Sequence, residues 1–311
     1  MTAQTTLSAR SAPVPVALIL LACLGATSGI CNNTAGQLSI DGDSLLFRRS
    51  DDPPSRITVA SVQNVFLSQE DKQVGGAPMA VGRAAAPFGG GRAIGLLAHK
   101  KYDMVTVEYR DSNGGLHGAI FQVGKGQGQS IVDELKGNGV HVSGSTPAVA
   151  MIQSPSTLPV PAGPGGRWSV EVSEVDAGGS AIAPEFKLAI YENLLVELAH
   201  SERFSTVFRS GDRRSSGVPG LLILKTTVES YTAGSETRRA VTTVAGATKL
   251  KLRTQLCTRD GQVLLERVVD GNVRFFGTNL RATHNVARNV ANAVKTTPLP
   301  EVAAVNRDQQ Y

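Results

Sequence analysis

Alternation of apolar and polar residues runs through the first half of the chain. Gln37 to Arg49 is divided by Asp41-Gly42, a pair that favours a hairpin turn, and Arg56 to Leu67 alternates over a second pair of short strands, with Asp51 to Pro54 as the loop before it. A glycine-rich and alanine-rich stretch covers Gly75 to Arg92. Ile94 to His99, Met104 to Tyr109 and Gly118 to Val123 then read as strands, the last two joined through Asn113-Gly114. Val105, Val107 and Tyr109 point one way and Met104, Thr106 and Glu108 the other, the period of two of a half-buried strand. Ser130 to Lys136 reads as a helix stopped by Gly137 and Gly139.

The pattern breaks between Gly144 and Arg167, where Pro155, Pro159, Pro161 and Pro164 stand among glycines and serines. Such a composition buries too little apolar surface to offset its ordering entropy, so residues 143–167 are expected to be a flexible linker between domains that move relative to one another. Beyond it, Trp168 to Val175 reads as a strand. Pro184 suits the first position of a helix whose Leu188, Ile190, Leu194, Leu195 and Leu198 form a broad apolar stripe up to His200. Phe204 to Phe208 is a short strand. Leu221 to Tyr231 and Glu236 to Val244 read as one hairpin through Ala233-Gly234, Thr248 to Cys257 and Gln262 to Phe276 as another through Asp260-Gly261, and Leu280 to Lys295 as a closing helix. The fold class expected is α+β. Residues 36–142 form a small β-barrel or sandwich with one C-terminal helix, residues 168–297 a sheet covered on one face by two helices, and residues 298–311 a disordered tail.

The amino terminus changes the compartment in which this must work. Arg10 precedes an apolar run from Val14 to Leu24, followed by Gly25, Ala26, Thr27 and Ser28, the order of a signal peptide spanning residues 1–28 and cut before Gly29. The alternative is a lipoprotein cut after Leu20-Leu21-Ala22, leaving Cys23 to be acylated. With Pro13 and Pro15 at its entry, the run is about half the roughly 20 residues a spanning helix needs. After a cut before Gly29 the cysteines left are Cys31 and Cys257, and an oxidising compartment would let them pair. Cys257 ends a run in which Leu250, Leu252, Thr254 and Leu256 alternate with Lys249, Lys251, Arg253 and Gln255, which places it on the polar, accessible face.

Charge and motifs narrow the chemistry. Residues 38–142 balance at eleven basic and eleven acidic side chains, and residues 167–297 carry eighteen against thirteen. Export argues against nucleic acid as the partner, and the surplus reads as a solvated basic surface. Arg48, Arg49, Lys100 and Lys101 are the candidates for contact with an anionic surface. Gly124-Lys125-Gly126-Gln127-Gly128 follows a strand and opens a helix, yet no βαβ unit and no acidic residue at the required distance accompany it, so no nucleotide site is expected. Phe88-Gly89-Gly90-Gly91-Arg92 lacks the Gly-Lys-Ser/Thr of a phosphate loop. Leu45 stands where a calcium loop begun by Asp41 and Asp43 would need an oxygen ligand. There is no Gly-x-Ser-x-Gly elbow, no Ser-x-x-Lys and no Cys-x-x-Cys, and His99, His117, His141, His200 and His284 are scattered. No cofactor, metal or catalytic residue is expected.

Five to seven strands closed by one helix resemble the pleckstrin-homology-like fold, whose members bind lipid head groups, peptides or partner proteins. The second half resembles a family of bacterial envelope proteins, domain of unknown function 4410. That likeness rests on the helix from Glu185 to His200 leading into Arg203-Phe204-Ser205-Thr206-Val207, on Arg238-Arg239 ahead of Ala245-Gly246-Ala247, on the strand from Lys249 to Leu256, and on Asp260-Gly261-Gln262-Val263-Leu264. The family's richer glycine pattern is reduced here to Gly246. The resemblance implies an exported, non-catalytic envelope protein, periplasmic or outer-membrane anchored, that engages a protein partner or the membrane surface. The alternative is a hydrolase or carbohydrate-active protein with a site between the domains, for which Glu108, Asp103 and His117 are the candidates.

Overall fold

A computed structural model of the chain describes residues 20–22, 32–34, 36–49, 53–73, 99–140, 168–234, 247–273 and 279–299. Within them the architecture is mixed α+β, with three sheets and three α-helices. In chain order the strands are β1 (Leu20–Ala22), β2 (Asn32–Thr34), β3 (Gln37–Asp41), β4 (Ser44–Arg48), β5 (Ser55–Thr58), β6 (Val62–Gln73), β7 (His99–Arg110) and β8 (Leu116–Gly124). Helix α1 (Gln127–Gly137) and strand β9 (Ser169–Val172) follow. The rest of the chain supplies α2 (Pro184–His200), β10 (Val207–Phe208), β11 (Leu221–Thr232), β12 (Thr248–Thr258), β13 (Val263–Val273) and α3 (Arg281–Thr296).

The β3–β4 hairpin forms where Asp41-Gly42 predicts it, with Gly42 at φ +58° supplying the positive angle a tight primed turn needs. Strands β3, β4 and β5 make one antiparallel sheet, and a second runs in the order β2-β1-β8-β7-β6. The alternating stretch from Arg56 to Leu67 is therefore not a pair of partnered strands. A 3-10 turn at Val59–Ser61 splits it, sending β5 to one sheet and β6 to the other. Leu38, Leu45, Phe47 and Ile57 from the small sheet meet Val65, Val105, Val107 and Phe121 from the larger one, and Val132 and Leu135 of α1 close the core. Among the described residues neither sheet closes into a barrel. Strand β1 lies in the segment read as a leader, and pairs with Ala119–Phe121 of β8.

The third sheet has the order β10-β9-β11-β12-β13. Strand β9 is parallel to both of its neighbours, and α2 is the crossover that a parallel pairing of β9 with β10 requires. Strand β11 pairs with β12, from Leu222 opposite Thr258 to Thr232 opposite Lys249, so the expected hairpin of Leu221 to Tyr231 with Glu236 to Val244 is not the pairing β11 makes. Residues 235–246 lie outside the described residues. Helices α2 and α3 bury Ile190, Leu194, Leu198, Val286, Val290 and Val294 against the same face of this sheet. Helix α3 sits close because Gly271 has no side chain: a Cβ there would lie 2.5 Å from the Ala282 carbonyl and 2.7 Å from the Val286 nitrogen.

The expected linker, residues 143–167, lies outside the described residues, and the two halves it joins meet along a packed seam. Helix α2 is apolar on nearly all sides, the signature of a helix buried on more than one face. One side serves the third sheet, while Leu188 and Ala189 pack on Met104 and Ile120, which project from the far face of the β7–β8 pair. The face that alternation assigned to solvent is thus covered by the second half of the chain, and β8 is buried from Leu116 to Val123. Leu116 itself joins the core of the third sheet.

Candidate functional site

The densest polar arrangement in the described residues lies along this seam. The β7–β8 turn is pressed against the chain following β10. Leu116 N–H donates to the Ser210 carbonyl at 3.0 Å and Arg213 N–H to the Asn113 carbonyl at 2.9 Å, so main chain binds main chain across the boundary. Arg209 holds Glu192 on its own side with a two-pronged contact at 2.8 and 2.9 Å and reaches across to donate to the Leu116 carbonyl at 2.8 Å. Glu192 also accepts from Gly118 N–H at 2.8 Å. The Tyr191 hydroxyl accepts from Ser210 N–H at 2.8 Å and faces the Leu116 carbonyl. Arg110 donates to the Gly114 carbonyl and pairs with Glu174 at 3.3 Å.

Burial sets the electrostatics. It pushes the Tyr109 and Tyr191 phenols up. Burial alone would lower the Arg209 guanidinium, but the Glu192 carboxylate more than reverses this. His117 stacks on Tyr109 with centroids 5.1 Å apart and bonds through Nε2 to Asp111 at 3.0 Å. Burial, and then the Arg209 charge, push its imidazole below the usual range, and its Nδ1 is enclosed without a partner. Burial raises the Asp111 carboxyl, but His117 and the Gly115 and Asn113 N–H groups outweigh it and hold the carboxyl low. Chemically this set fixes a turn in register against a helix. Asp111 orders its own turn, His117 buttresses it, and Arg209 with Glu192 clamps it down.

The three residues proposed for a cleft are not brought together. Asp103 and Glu108 are separated by about 17 Å along an extended strand. Asp103 caps α1, its Oδ2 accepting from Gly126 N–H at 2.7 Å and Gly128 N–H at 3.1 Å. The glycine-rich turn that resembles a phosphate cradle is therefore filled by a carboxylate of the chain itself. Asp103→Ala is expected to lower stability by about 1–2 kcal/mol through loss of this cap, measured by urea denaturation. Glu108 lies opposite Gly118 on the face toward α2, accepts from Asn64 at 2.9 Å, and is pushed up by burial. His117 sits opposite Tyr109 on the other face.

A second buried carboxylate, Glu185 in the first turn of α2, accepts from Ser68 at 3.1 Å, while its Oε2 is enclosed without a partner. Burial pushes it above the ordinary value of 4.5, against smaller lowering contributions from its own N–H and from Ser68. A raised folded-state value means the folded protein holds this proton more tightly than the unfolded chain. Stability contributed by the neutral form is then full below 4.5 and lost as pH rises through the folded value. Glu185→Gln is expected to be more stable than the parent at pH 7, with the advantage vanishing toward pH 4.5, as read from denaturation midpoints across that range.

Among the other candidates, Cys257 is a free thiol and is 4% exposed. Alternation holds, since Cys257 stands opposite Ile223 while Leu256 stands opposite Leu224, but the face it shares with Ile223 is covered at this point, so the thiol is not accessible. Cys23 and Cys31 lie outside the described residues. Arg48 is exposed at the end of β4 and Arg49 is half-buried beside it. Lys100 and Lys101 belong to β7, in a different sheet, and their side chains lie outside the described residues. Among the described residues no three or more His, Cys, Asp or Glu side chains group as metal ligands. No helix there is long and apolar enough to cross a membrane. A shallow cavity of about 270 Å³ is lined by Asp43, Val59, Ala60, Val62, Asn138, Gly139 and Val140.

Sequence reasoning missed Arg209, Glu192, Tyr191 and Asp111. One signal was available: Glu192 stands mid-helix between buried apolar residues, where a carboxylate that keeps its charge needs a cation.

No family model matches the chain, and no curated protein matches it. Among solved structures it is similar to the PelC dodecamer from Paraburkholderia phytofirmans in space group P6, at 13% identity over 42% of this chain and 89% of that one, with a TM-score of 0.33. It is similar also to a single-residue variant of the PelC dodecamer from that organism in space group C2, at 13% identity over 43% of this chain and 93% of that one, with a TM-score of 0.33. At that TM-score the likeness carries no argument.

Proposed function

We propose that this chain is an exported, non-catalytic envelope protein that serves as a protein-interaction or assembly module. The observation that carries the reading is the use made of the titratable groups along the seam. Asp111 and His117 order a turn, and Arg209 with Glu192 locks that turn to α2. Side chains of this kind are committed to holding two sheets as one platform. Export rests on the leader-like order of residues 1–28 and localisation to the periplasm or envelope follows from it.

Within this reading residues 36–142 are a pleckstrin-homology-like unit, supported by two antiparallel sheets facing across one core with α1 closing it. Residues 168–297 are a unit of the domain of unknown function 4410 kind, supported by the order strand, helix, strand, three long strands and closing helix. The test is crosslinking in the native envelope followed by pull-down, together with amino-terminal sequencing of the purified chain. The expected result is a mature chain starting at Gly29 that crosslinks to a discrete envelope protein. A chain with Met1 intact that turns over a substrate in the cytosol would overturn the proposal.

A further inference from the structure

Among the described residues strand β13 is the outermost strand of the third sheet, and its two halves are treated differently. Along the second half, α3 covers the edge: Asn289 donates to the Asp270 carbonyl at 2.7 Å and Asn285 to the Asn272 carbonyl at 2.9 Å. Outward-pointing groups recur at every second residue of an antiparallel edge strand, so those of Glu266 and Val268 lie on the same open side, where no such amide reaches them among the described residues. The first half is also where the apolar exposure is concentrated. Among the described residues the exposed large hydrophobics are Val263 and Val268, at 48% and 47%. A long edge strand showing apolar side chains and free backbone groups is a template for another strand.

Charge selects what would fit. Arg253 on β12 pairs with Glu229 on β11 at 2.8 Å and with Glu266 on β13 at 3.7 Å. The row reads acid, base, acid across three strands and stops at the edge on Glu266, so the side chain that continues it is basic. A second copy fits poorly. Two-fold antiparallel pairing centred on this segment sets Glu266 against Glu266 or Arg267 against Arg267.

We propose that the open half of the β13 edge, Val263–Val268, accepts an extended segment of a partner protein as a sixth strand, with a basic residue beside Glu266 and apolar residues beside Val268. This rests on the reading of the chain as an interaction module. The test titrates the full chain with a capped hexapeptide alternating valine and threonine around one lysine, and with its glutamate counterpart, while amide hydrogen exchange is followed. The lysine peptide is expected to slow exchange at Glu266 and Val268 by about tenfold or more at saturation, and the glutamate peptide to leave it unchanged. Glu266→Lys should reverse that preference. Val268→Pro, which removes an outward N–H, should abolish binding of both.

Equal protection by the two peptides, or a preference that Glu266→Lys leaves unaltered, overturns the proposal. So does a concentration-dependent dimer in light scattering that Val268→Pro dissolves, because the edge would then belong to a second copy. To separate this from the broader reading, a photo-crosslinking residue is placed at Val268 and, separately, at Arg48 in cells. Capture at Arg48 alone sinks the edge proposal and leaves the interaction reading standing, whereas capture at neither site counts against both.

Discussion

Replacing Arg209 with alanine is expected to cost the fold about 3–5 kcal/mol, a loss large enough to bring a domain of ordinary stability close to unfolding. The reason is what stays behind. Glu192 has only 4% of its side chain exposed, so without the guanidinium it keeps a buried charge whose one remaining hydrogen-bond partner among the described residues is Gly118 N–H. The Leu116 carbonyl loses a donor at the same time. Chemical denaturation gives the total, and a companion pair of variants apportions it. Arg209→Met combined with Glu192→Met should recover part of the loss, because no charge is stranded, and should fall short of the parent because Gly118 N–H loses its acceptor and the Leu116 carbonyl is left with the longer contact to the Tyr191 hydroxyl. If Arg209→Ala unfolds within about 1 kcal/mol of the parent, the clamp behaves as an exposed ion pair and the account of the seam is wrong.

The second large effect is steric. Gly118 lies beneath Leu188, and a Cβ built on it would come within 2.1 Å of that side chain's branch point. Leu188 is buried between α2 and the β7–β8 face, so it has little room to turn away. Gly118→Val is expected to destabilise the protein by about 3 kcal/mol, the upper end of ordinary overpacking, with faster amide exchange in β8 as α2 lifts. Adding Leu188→Ala should restore a measurable part of the stability. A Gly118→Val variant as stable as the parent would mean that α2 does not press on this sheet.

These two sites mark where reading the sequence stopped working. Local signals did well: the Asp41-Gly42 and Asn113-Gly114 turns, the helix starting at Pro184, and the Asp260-Gly261 turn between β12 and β13 all appear near their predicted places. Each depends on a few neighbouring residues. What failed depends on who packs against whom. Met104 alternates with core residues and so looks solvent-facing, and nothing near it in sequence announces that Leu188 and Ala189 will cover it. Cys257 keeps the face that alternation gives it, but that this face is covered is set by packing and not by the strand's own residues. The clamp was invisible for a similar reason. Arg209 and Glu192 are 17 residues apart, and their other partners, Leu116 and Gly118, come from the far side of the proline-rich stretch.

That the β7–β8 turn is bolted to the chain after β10 bears on how the polypeptide tolerates breakage. A break in the covalent path between the halves would leave in place the hydrogen bonds of Leu116, Arg213 and Arg209 and the leucines of α2. The two fragments would stay together as a non-covalent pair, and neither alone could hide the surface it now presents to the other. The halves are separable in the genetic text yet form one thermodynamic unit.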